Sequence, residues 1–323
     1  MRNLLQQTRM ELLPGLPARP SVAMPRDLAA GARPAFDAGR IAEIREDAFE
    51  AHCEEHFDPT YGVYWASLRA DCPRNFTPEL VDALRQGQLR VERRVRTELD
   101  SADDTRLRYQ VLSSSIPGIF SLGGDLALFK RLIRSQDRSE LLGYARGCID
   151  LVYTNAVNYH LPVVTISLVQ GQALGGGFEA ALAANVVVAE RQSKLGLPEV
   201  MFNMFPGMGA YQLLTRRLTP AKAEELILSG RTFSAEELHG MGLVDILAEP
   251  GEGEAAVMHF IKKRHRMFHA HQGLRRAVQA ASPLDYDALV RVTEVWVDQA
   301  MALEERDLEL MDYLVRAQQR MKH

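Results

Sequence analysis

Cysteine is scarce in this sequence, with three residues among 323: Cys53, Cys72 and Cys148. They form neither a C-x-x-C pair nor an even set, so a disulfide framework is excluded and a reducing compartment is expected. The sequence also lacks an apolar run of the roughly 20 residues that a membrane helix needs. No long apolar segment with a small-residue cleavage site begins the chain, so we predict no secretory signal and a cytoplasmic location.

An excess of charge of either sign is missing as well. Lysine and arginine number 38, aspartate and glutamate 42, and the net charge is −4. We therefore expect no nucleic-acid partner and no membrane partner. Two histidine groups, His52 with His56 and His265 with His269 and His271, lack cysteine or carboxylate partners at zinc-ligand spacing. The sequence accordingly predicts no metal site.

The sequence has enough apolar residues for a large core, since 46% are hydrophobic and 25% charged. We expect a flexible, Pro-, Ala- and Arg-rich arm at 1–40, an α/β core with an N-terminal extension at 41–250, and a helical region at 251–323. β-Branched runs at 162–169 and 186–188 alternate with helical segments, which predicts right-handed crossovers in a layered α/β fold. The other predicted elements are a strand at 108–113 and helical segments at 41–57, 78–89, 126–158 and 179–184.

An apolar stripe runs along the last forty residues. Val292, Trp296, Leu303, Leu310 and Leu314 repeat at helical or heptad spacing. Core packing or an oligomer contact is the simplest interpretation of this stripe. Lining of an apolar substrate pocket is also compatible with it.

Three adjacent glycines, Gly175 to Gly177, separate a predicted buried strand from a short helix. Their backbone amides at a helix N-terminus suit a ligand that carries negative charge, and Glu179 lies in the first turn of the same helix. A tight strand-to-helix turn is the alternative. The pattern is neither G-x-G-x-x-G nor a G-K-[ST] phosphate loop, so no dinucleotide or other cofactor is predicted.

A second carboxylate, Glu199, follows Glu179 by 20 residues among mostly apolar neighbours. The intervening chain is long enough to return, so both carboxylates could face one cleft and shift each other's pKa. A solvated surface residue is the alternative for a lone glutamate. The segment Leu122-Gly123-Gly124-Asp125 offers a second place where a backbone amide could be presented at the end of a strand.

Together these segments resemble the crotonase (enoyl-CoA hydratase/isomerase) superfamily. The resemblance lies in SLGGDL (121–126), ALGGGFE (173–179), LPEV (197–200) and PGMG (206–209). The sequence is more similar still to one branch, the diffusible-signal-factor (DSF) synthases. That similarity spans about 60 to 320 and is carried by PRNFTPEL and the segments at 117–134, 169–182, 196–214 and 296–318.

The resemblance implies a spiral of ββα units with added C-terminal helices. It also implies an oxyanion hole formed by the amides of Leu122 and Gly176, with Glu179 and Glu199 as catalytic acid and base in unassigned order. Such an enzyme dehydrates a medium-chain 3-hydroxyacyl group on acyl carrier protein, then hydrolyses the thioester. The product is a free cis-2-unsaturated fatty acid that acts as a quorum-sensing signal.

The resemblance further implies an acyl pocket covered by the C-terminal helical region. The residues expected to bind substrate are Gly123, Leu174, Gly175, Met208, Trp296 and Leu314. A trimer-based homo-oligomer and a sensor-kinase receiver domain are the expected protein partners. Two alternatives stay open: an enoyl-CoA hydratase or isomerase that acts on acyl-CoA in fatty acid catabolism, and a binding protein that sequesters a partner without catalysis.

Overall fold

The computed structural model describes residues 48–98 and 106–320, so the predicted arm at 1–40 lies outside the described residues. The strands are β1 Cys53–Asp58, β2 Val63–Leu68, β3 Tyr109–Ser114, β4 Ile119–Ser121, β5 Val164–Val169, β6 Gln172–Leu174, β7 Val186–Glu190, β8 Lys194–Gly196, β9 Thr232–Ser234 and β10 Ile246–Ala248. The α-helices are α1 Ala48–His52, α2 Pro78–Glu98, α3 Leu126–Arg134, α4 Arg138–Ala156, α5 Gly176–Leu182, α6 Ala210–Thr215, α7 Pro220–Ser229, α8 Ala235–Gly240, α9 Gly253–His265, α10 Phe268–Ala281, α11 Tyr286–Met301 and α12 Glu305–Arg320. Two 3₁₀ helices span Asn158–His160 and Glu199–Phe202.

Two sheets form the core. The larger has the order β1-β2-β3-β5-β7-β10, and all its pairs are parallel except β1 with β2. The smaller has the order β4-β6-β8-β9 and is parallel except between β8 and β9. Strand β5 is buried along its whole length, as its apolar, β-branched sequence predicts for a central parallel strand.

The chain builds these sheets by repeating one unit. A strand of the larger sheet is followed by a short strand of the smaller sheet and then by a helix, as in β3-β4-α3 and β5-β6-α5. The third repeat runs from β7 through β8 to the 3₁₀ helix at Glu199–Phe202 and α6. The predicted α/β spiral of ββα units is therefore confirmed.

Two predicted elements differ from the structure. The helix expected at 126–158 is broken between α3 and α4, where Gln136 adopts a left-handed φ of 54° and Asp137 accepts a hydrogen bond from the Glu140 amide. Within the helical segment expected at 41–57, the last residues instead form β1, which pairs with β2. Pairing with a neighbouring strand overrides local helical spacing there.

The C-terminal helices pack on both sides of the core. α9 and α10 lie against one face of the larger sheet, whereas α11 packs on α4 and α12 on α3. The predicted apolar stripe is buried only in part, since Trp296 is 4% exposed and Leu310 is 46% exposed. The domain boundary at 250 stays a prediction. In the described ranges, no helix combines the length and apolarity needed to cross a membrane.

Candidate active site

Two glycine-containing loops meet at one edge of the smaller sheet. β4 and β6 are parallel neighbours, so the loops that follow them leave the sheet on the same side. Gly123 has a φ of +89°, and a Cβ on it would lie 2.6 Å from the Leu174 carbonyl oxygen and 3.0 Å from the Gly176 nitrogen. Glycine is therefore required at position 123, both for its backbone conformation and for the close approach of the two loops.

Two backbone amides lie close together where these loops meet. A Cβ on Gly176 would lie 3.5 Å from the Gly124 nitrogen, and Gly176 is the first residue of α5. In the part of the chain that the structure describes, neither amide donates to a protein acceptor. Two free amides that lie close together can stabilise an oxygen that carries negative charge.

The amide of Leu122 is not one of this pair. It donates to the Arg74 carbonyl oxygen at 2.8 Å, and the Gly123 amide donates to Ser121 Oγ at 3.2 Å. The oxyanion-hole role expected for Leu122 is therefore corrected, because its N–H already has an acceptor. The free amide belongs to Gly124, two residues further along the same loop.

Glu179 is a buried carboxylic acid on α5. It is 1% exposed, and its Oε1 accepts hydrogen bonds from the amides of Met208 and Ala210, both at 2.9 Å. Burial disfavours the ionised form and raises the pKa of Glu179 to about 7. The two amide donors oppose that shift because they stabilise the carboxylate.

Glu199 begins the 3₁₀ helix that follows β8 and faces the same loop. A Cβ on Gly175 would lie 2.5 Å from Glu199 Oε1, while Oε2 is buried without a hydrogen-bond partner. Burial, followed by the nearby charge of Glu179, raises the pKa of Glu199 to about 8. Two carboxyl groups near neutrality can supply a general acid and a general base in one site.

A largely apolar pocket reaches this site. Gly176 and Met208 line it beside the glycine loops, and Ala180 lines it one residue after Glu179. Its other lining residues come from α1, α2, α4, β2, β3 and neighbouring positions: Phe49, Tyr64, Ala66, Phe76, Leu84, Gly87, Gln88, Val91, Gln110, Leu112, Cys148, Leu151, Val152, Asn155 and Tyr159. No motif marks this wall in the sequence, because the segments that form it come together only in the fold.

Trp296, expected to line the pocket from the C-terminal side, is not among its lining residues. Trp296 packs its ring 5.2 Å from that of Phe129, and a Cβ on Gly207 would lie 2.2 Å from Trp296 Cγ. Leu174 is half-buried and contacts Gly123 through its carbonyl oxygen. The side chain of Leu314 lies outside the described residues.

The C-terminal helix α11 nevertheless contacts the segment that precedes Met208. Thr293 Oγ1 donates to the Gly207 carbonyl oxygen at 3.0 Å, beside the contact that Trp296 makes with the same glycine. The next residue, Met208, donates its amide to Glu179. Helix α11 thus fixes the segment that holds a buried carboxylate.

Two of the histidines, His265 and His271, lie in structural surroundings. The His265 ring packs edge-on against Tyr61 at 5.3 Å and shares a hydrogen bond with Arg108 Nη1 at 3.0 Å. Burial, followed by repulsion from Arg275 and Arg264, lowers the pKa of His271 to about 4. Within 48–98 and 106–320, no three histidine, cysteine, aspartate or glutamate side chains group as metal ligands would.

Comparison with known proteins assigns the family. The family model described as enoyl-CoA hydratase/isomerase matches residues 93–288. The mitochondrial methylglutaconyl-CoA hydratase of Rattus norvegicus is 38% identical over 154 residues, which is 47% of this chain and 47% of that protein. The chain thus spans about half the length of this curated relative.

Solved structures share the fold. Human mitochondrial delta3-delta2-enoyl-CoA isomerase superposes with a TM-score of 0.66 at 17% identity, covering 84% of this chain and 100% of the isomerase. Pseudomonas aeruginosa DspI superposes with a TM-score of 0.54 at 24% identity, covering 81% and 95%. These likenesses show a crotonase-like fold, and with the family match they establish that the chain belongs to the enoyl-CoA hydratase/isomerase (crotonase) family.

Proposed function

We propose that this protein is a DSF synthase. It would dehydrate a medium-chain 3-hydroxyacyl-acyl carrier protein to the cis-2-enoyl thioester, then hydrolyse that thioester to release a free cis-2-unsaturated fatty acid. The observation that carries the proposal is the pair of carboxyl groups with raised pKa, Glu179 and Glu199, beside two free amides, one of which lines an apolar pocket. The sequence segments similar to DSF synthases support the finer assignment.

Dehydration requires a stabilised enolate. The thioester carbonyl oxygen would accept hydrogen bonds from the amides of Gly124 and Gly176, which makes the C2 proton acidic enough to remove. Glu179 would act as the base, because two amide donors stabilise its ionised form. Glu199 has no such donors on Oε2, holds its proton more tightly, and would protonate the C3 hydroxyl as it leaves as water.

Hydrolysis would use the same groups. After dehydration Glu199 is ionised and Glu179 protonated. Glu199 would take a proton from a water molecule as the water oxygen bonds to the thioester carbon, and Gly124 and Gly176 would hold the tetrahedral oxyanion. Collapse of that intermediate breaks the carbon–sulfur bond, and the proton on Glu179 goes to the departing thiolate. A free acid and the carrier thiol result, with Glu199 protonated again and Glu179 ionised.

The partners follow from the same resemblance. An acyl carrier protein or CoA would present the thioester, and the acyl tail would lie in the pocket lined by residues such as Val91 and Leu112. A trimer-based homo-oligomer and a sensor-kinase receiver domain belong to the proposal as further partners. The fold shared with DspI is compatible with it but assigns no activity.

A hydratase or isomerase that acts on acyl-CoA is the second candidate. The family description and the name of the methylglutaconyl-CoA hydratase favour it. The same carboxyl pair could add water to an enoyl-CoA, with the thioester left intact. The two candidates therefore differ in whether the product leaves as a free acid.

The test is incubation of the purified protein with 3-hydroxydodecanoyl-acyl carrier protein, followed by mass spectrometry and NMR of the organic extract. Free cis-2-dodecenoic acid is the expected product, and the Glu179→Gln variant should give far less of it. An unsaturated acyl group that stays on the carrier would overturn the thioesterase step and favour the second candidate. No dehydration of the carrier or CoA thioester would overturn both.

A further inference from the structure

A polar side chain, Gln110, stands in the wall of the otherwise apolar pocket. It is the second residue of β3, is 6% exposed, and lines the pocket beside Leu112 on the same face of the strand. In the larger sheet it lies opposite Tyr64 of β2 and Thr165 of β5. It is thus nine-tenths buried and positioned to face a ligand.

The other polar side chains near Gln110 satisfy one another. Gln88 Nε2 donates to the Leu151 carbonyl oxygen at 2.9 Å and to Asn155 Oδ1 at 3.2 Å, and Tyr159 Oη donates to Asn155 Oδ1 at 3.3 Å. Tyr64 Oη donates to Glu55. Among the hydrogen bonds of the described residues, the Gln110 side chain takes part in none. An amide in that position offers two donors and an acceptor to whatever enters the pocket.

Gln110 lies near the N-terminal end of β3, whereas the glycine loops follow the strands β4 and β6. β3 runs toward β4 and the loop at Leu122, and Gln110 is four residues before the end of β3, roughly 13 Å along the strand at about 3.3 Å per residue. Gly176 and Met208 line the pocket near the carboxyl pair. A thioester held at the loops would therefore bring a distal part of its acyl chain to Gln110.

We infer that the acyl group of the substrate carries a hydroxyl group on its distal half and that the Gln110 amide binds it. The inference rests on the proposed function, because it needs the thioester at the amides of Gly124 and Gly176. A side-chain amide that is open to the pocket and has no protein partner disfavours a plain alkyl chain that would cover it, whereas a hydroxyl can both donate to Oε1 and accept from Nε2. Gln110 would then be a specificity-determining residue.

The test compares kcat/KM for 3-hydroxydodecanoyl-acyl carrier protein with a panel that has a second hydroxyl at carbon 8, 9, 10, 11 or 12. The native enzyme should prefer one isomer over the plain chain by about tenfold or more, because a site built to hydrogen-bond a hydroxyl discriminates against its absence. Gln110→Leu should abolish or reverse that preference. Gln192→Leu, the same change at an exposed glutamine outside the pocket lining, should preserve the preference.

A binding measurement separates this inference from the proposed function. Calorimetry with free 8- to 12-hydroxydodecanoic acids and with dodecanoic acid should show the same preference in the native protein and its loss in Gln110→Leu, whether or not turnover occurs. Equal binding of every hydroxy acid and the plain acid by the native protein would overturn the inference. A thermal unfolding midpoint of Gln110→Leu close to that of the native protein would exclude misfolding, and a Gln110→Asn variant replaces Gln110→Leu if that midpoint falls.

Discussion

Glu179 and Glu199 interact across one buried space but differ in their hydrogen bonds. Glu179 Oε1 accepts from two backbone amides, whereas Glu199 Oε2 is buried with no partner. Burial raises the pKa of both groups, and the charge of Glu179 raises that of Glu199 further. The two groups titrate as a coupled pair, in which Glu179 is the more readily ionised and Glu199 is the more readily protonated.

Replacement of either carboxyl should abolish most of the activity without loss of the fold. Glu179→Gln and Glu199→Gln should each lower kcat for dehydration by about 10² to 10⁴, the usual contribution of a general acid or base. Circular dichroism and thermal unfolding report the fold. Glu225→Gln, which removes an exposed carboxylate paired with Lys222, is the matched control and should retain full activity.

The two variants should also differ in one partial reaction. With Glu179 as the base, Glu199→Gln should still exchange the C2 proton of the substrate for solvent deuterium, whereas Glu179→Gln should not. Mass spectrometry of recovered substrate measures the exchange. Exchange in Glu179→Gln but not in Glu199→Gln would make Glu199 the base and Glu179 the acid. Full dehydration by both variants would show that neither carboxyl takes part in the reaction.

The stability of the protein should depend on pH through the same pair. The pKa values of Glu179 and Glu199 lie at about 7 and about 8 in the folded state, above the ordinary value of 4.5. Between pH 4.5 and about pH 8 the folded state therefore binds more protons than the unfolded state. The contribution of the pair to the free energy of unfolding falls as the pH rises through this range.

Urea denaturation from pH 5 to pH 8 would measure this effect. The double variant Glu179→Gln/Glu199→Gln lacks both titrating groups. The difference between its free energy of unfolding and that of the native protein should therefore rise in favour of the variant as pH increases. Parallel curves for the two proteins would mean that both carboxyls ionise in the folded state as they do in water.

The amide pair can be tested by adding a single methyl group. A Cβ on Gly176 would lie 3.5 Å from the Gly124 nitrogen and 3.7 Å from Met208 Sδ, which are ordinary contacts. Gly176→Ala should therefore keep its stability, yet the methyl group would occupy the space before both amides. We expect a loss of activity of about 10² or more, as when an oxyanion donor is removed.

Gly177→Ala is the matched comparison for the fold. Its Cβ would lie 2.3 Å from the Ser121 carbonyl oxygen, a backbone atom that cannot move aside. Its unfolding midpoint should drop clearly below that of Gly176→Ala. A folded Gly176→Ala with native turnover would show that no substrate oxygen binds between these amides.

The sequence was sufficient where a backbone requirement determines the residue type. The glycines at 175–177 indicated a turn between a strand and a helix, and the buried run at 162–169 indicated a central strand. The donor in the first loop was not predictable in the same way. The amide of Leu122 is occupied by the carbonyl of Arg74, 48 residues earlier, and that hydrogen bond forms only in the fold.

The residues that line the pocket could not be predicted from the sequence for a related reason. Gln110, Val91 and Cys148 come from three separate elements, and nothing in their local sequence distinguishes a pocket-lining residue from a core residue. Trp296 looked like a lining residue because it belongs to an apolar stripe, yet helix packing buries it against Gly207 and Phe129.

Trp296 provides the last prediction, since lining and packing have different consequences. Trp296→Ala should lower the free energy of unfolding by about 3–5 kcal/mol, because it leaves a cavity beside Gly207 and Phe129. Its preference among acyl chains of different length should match that of the native protein, since the pocket wall stays intact. Val91→Ala, which enlarges the pocket itself, should instead shift kcat/KM toward longer chains at a smaller cost in stability. Urea denaturation and kcat/KM for octanoyl to hexadecanoyl substrates measure both effects, and a shift toward longer chains in Trp296→Ala alone would place the acyl tail against α11.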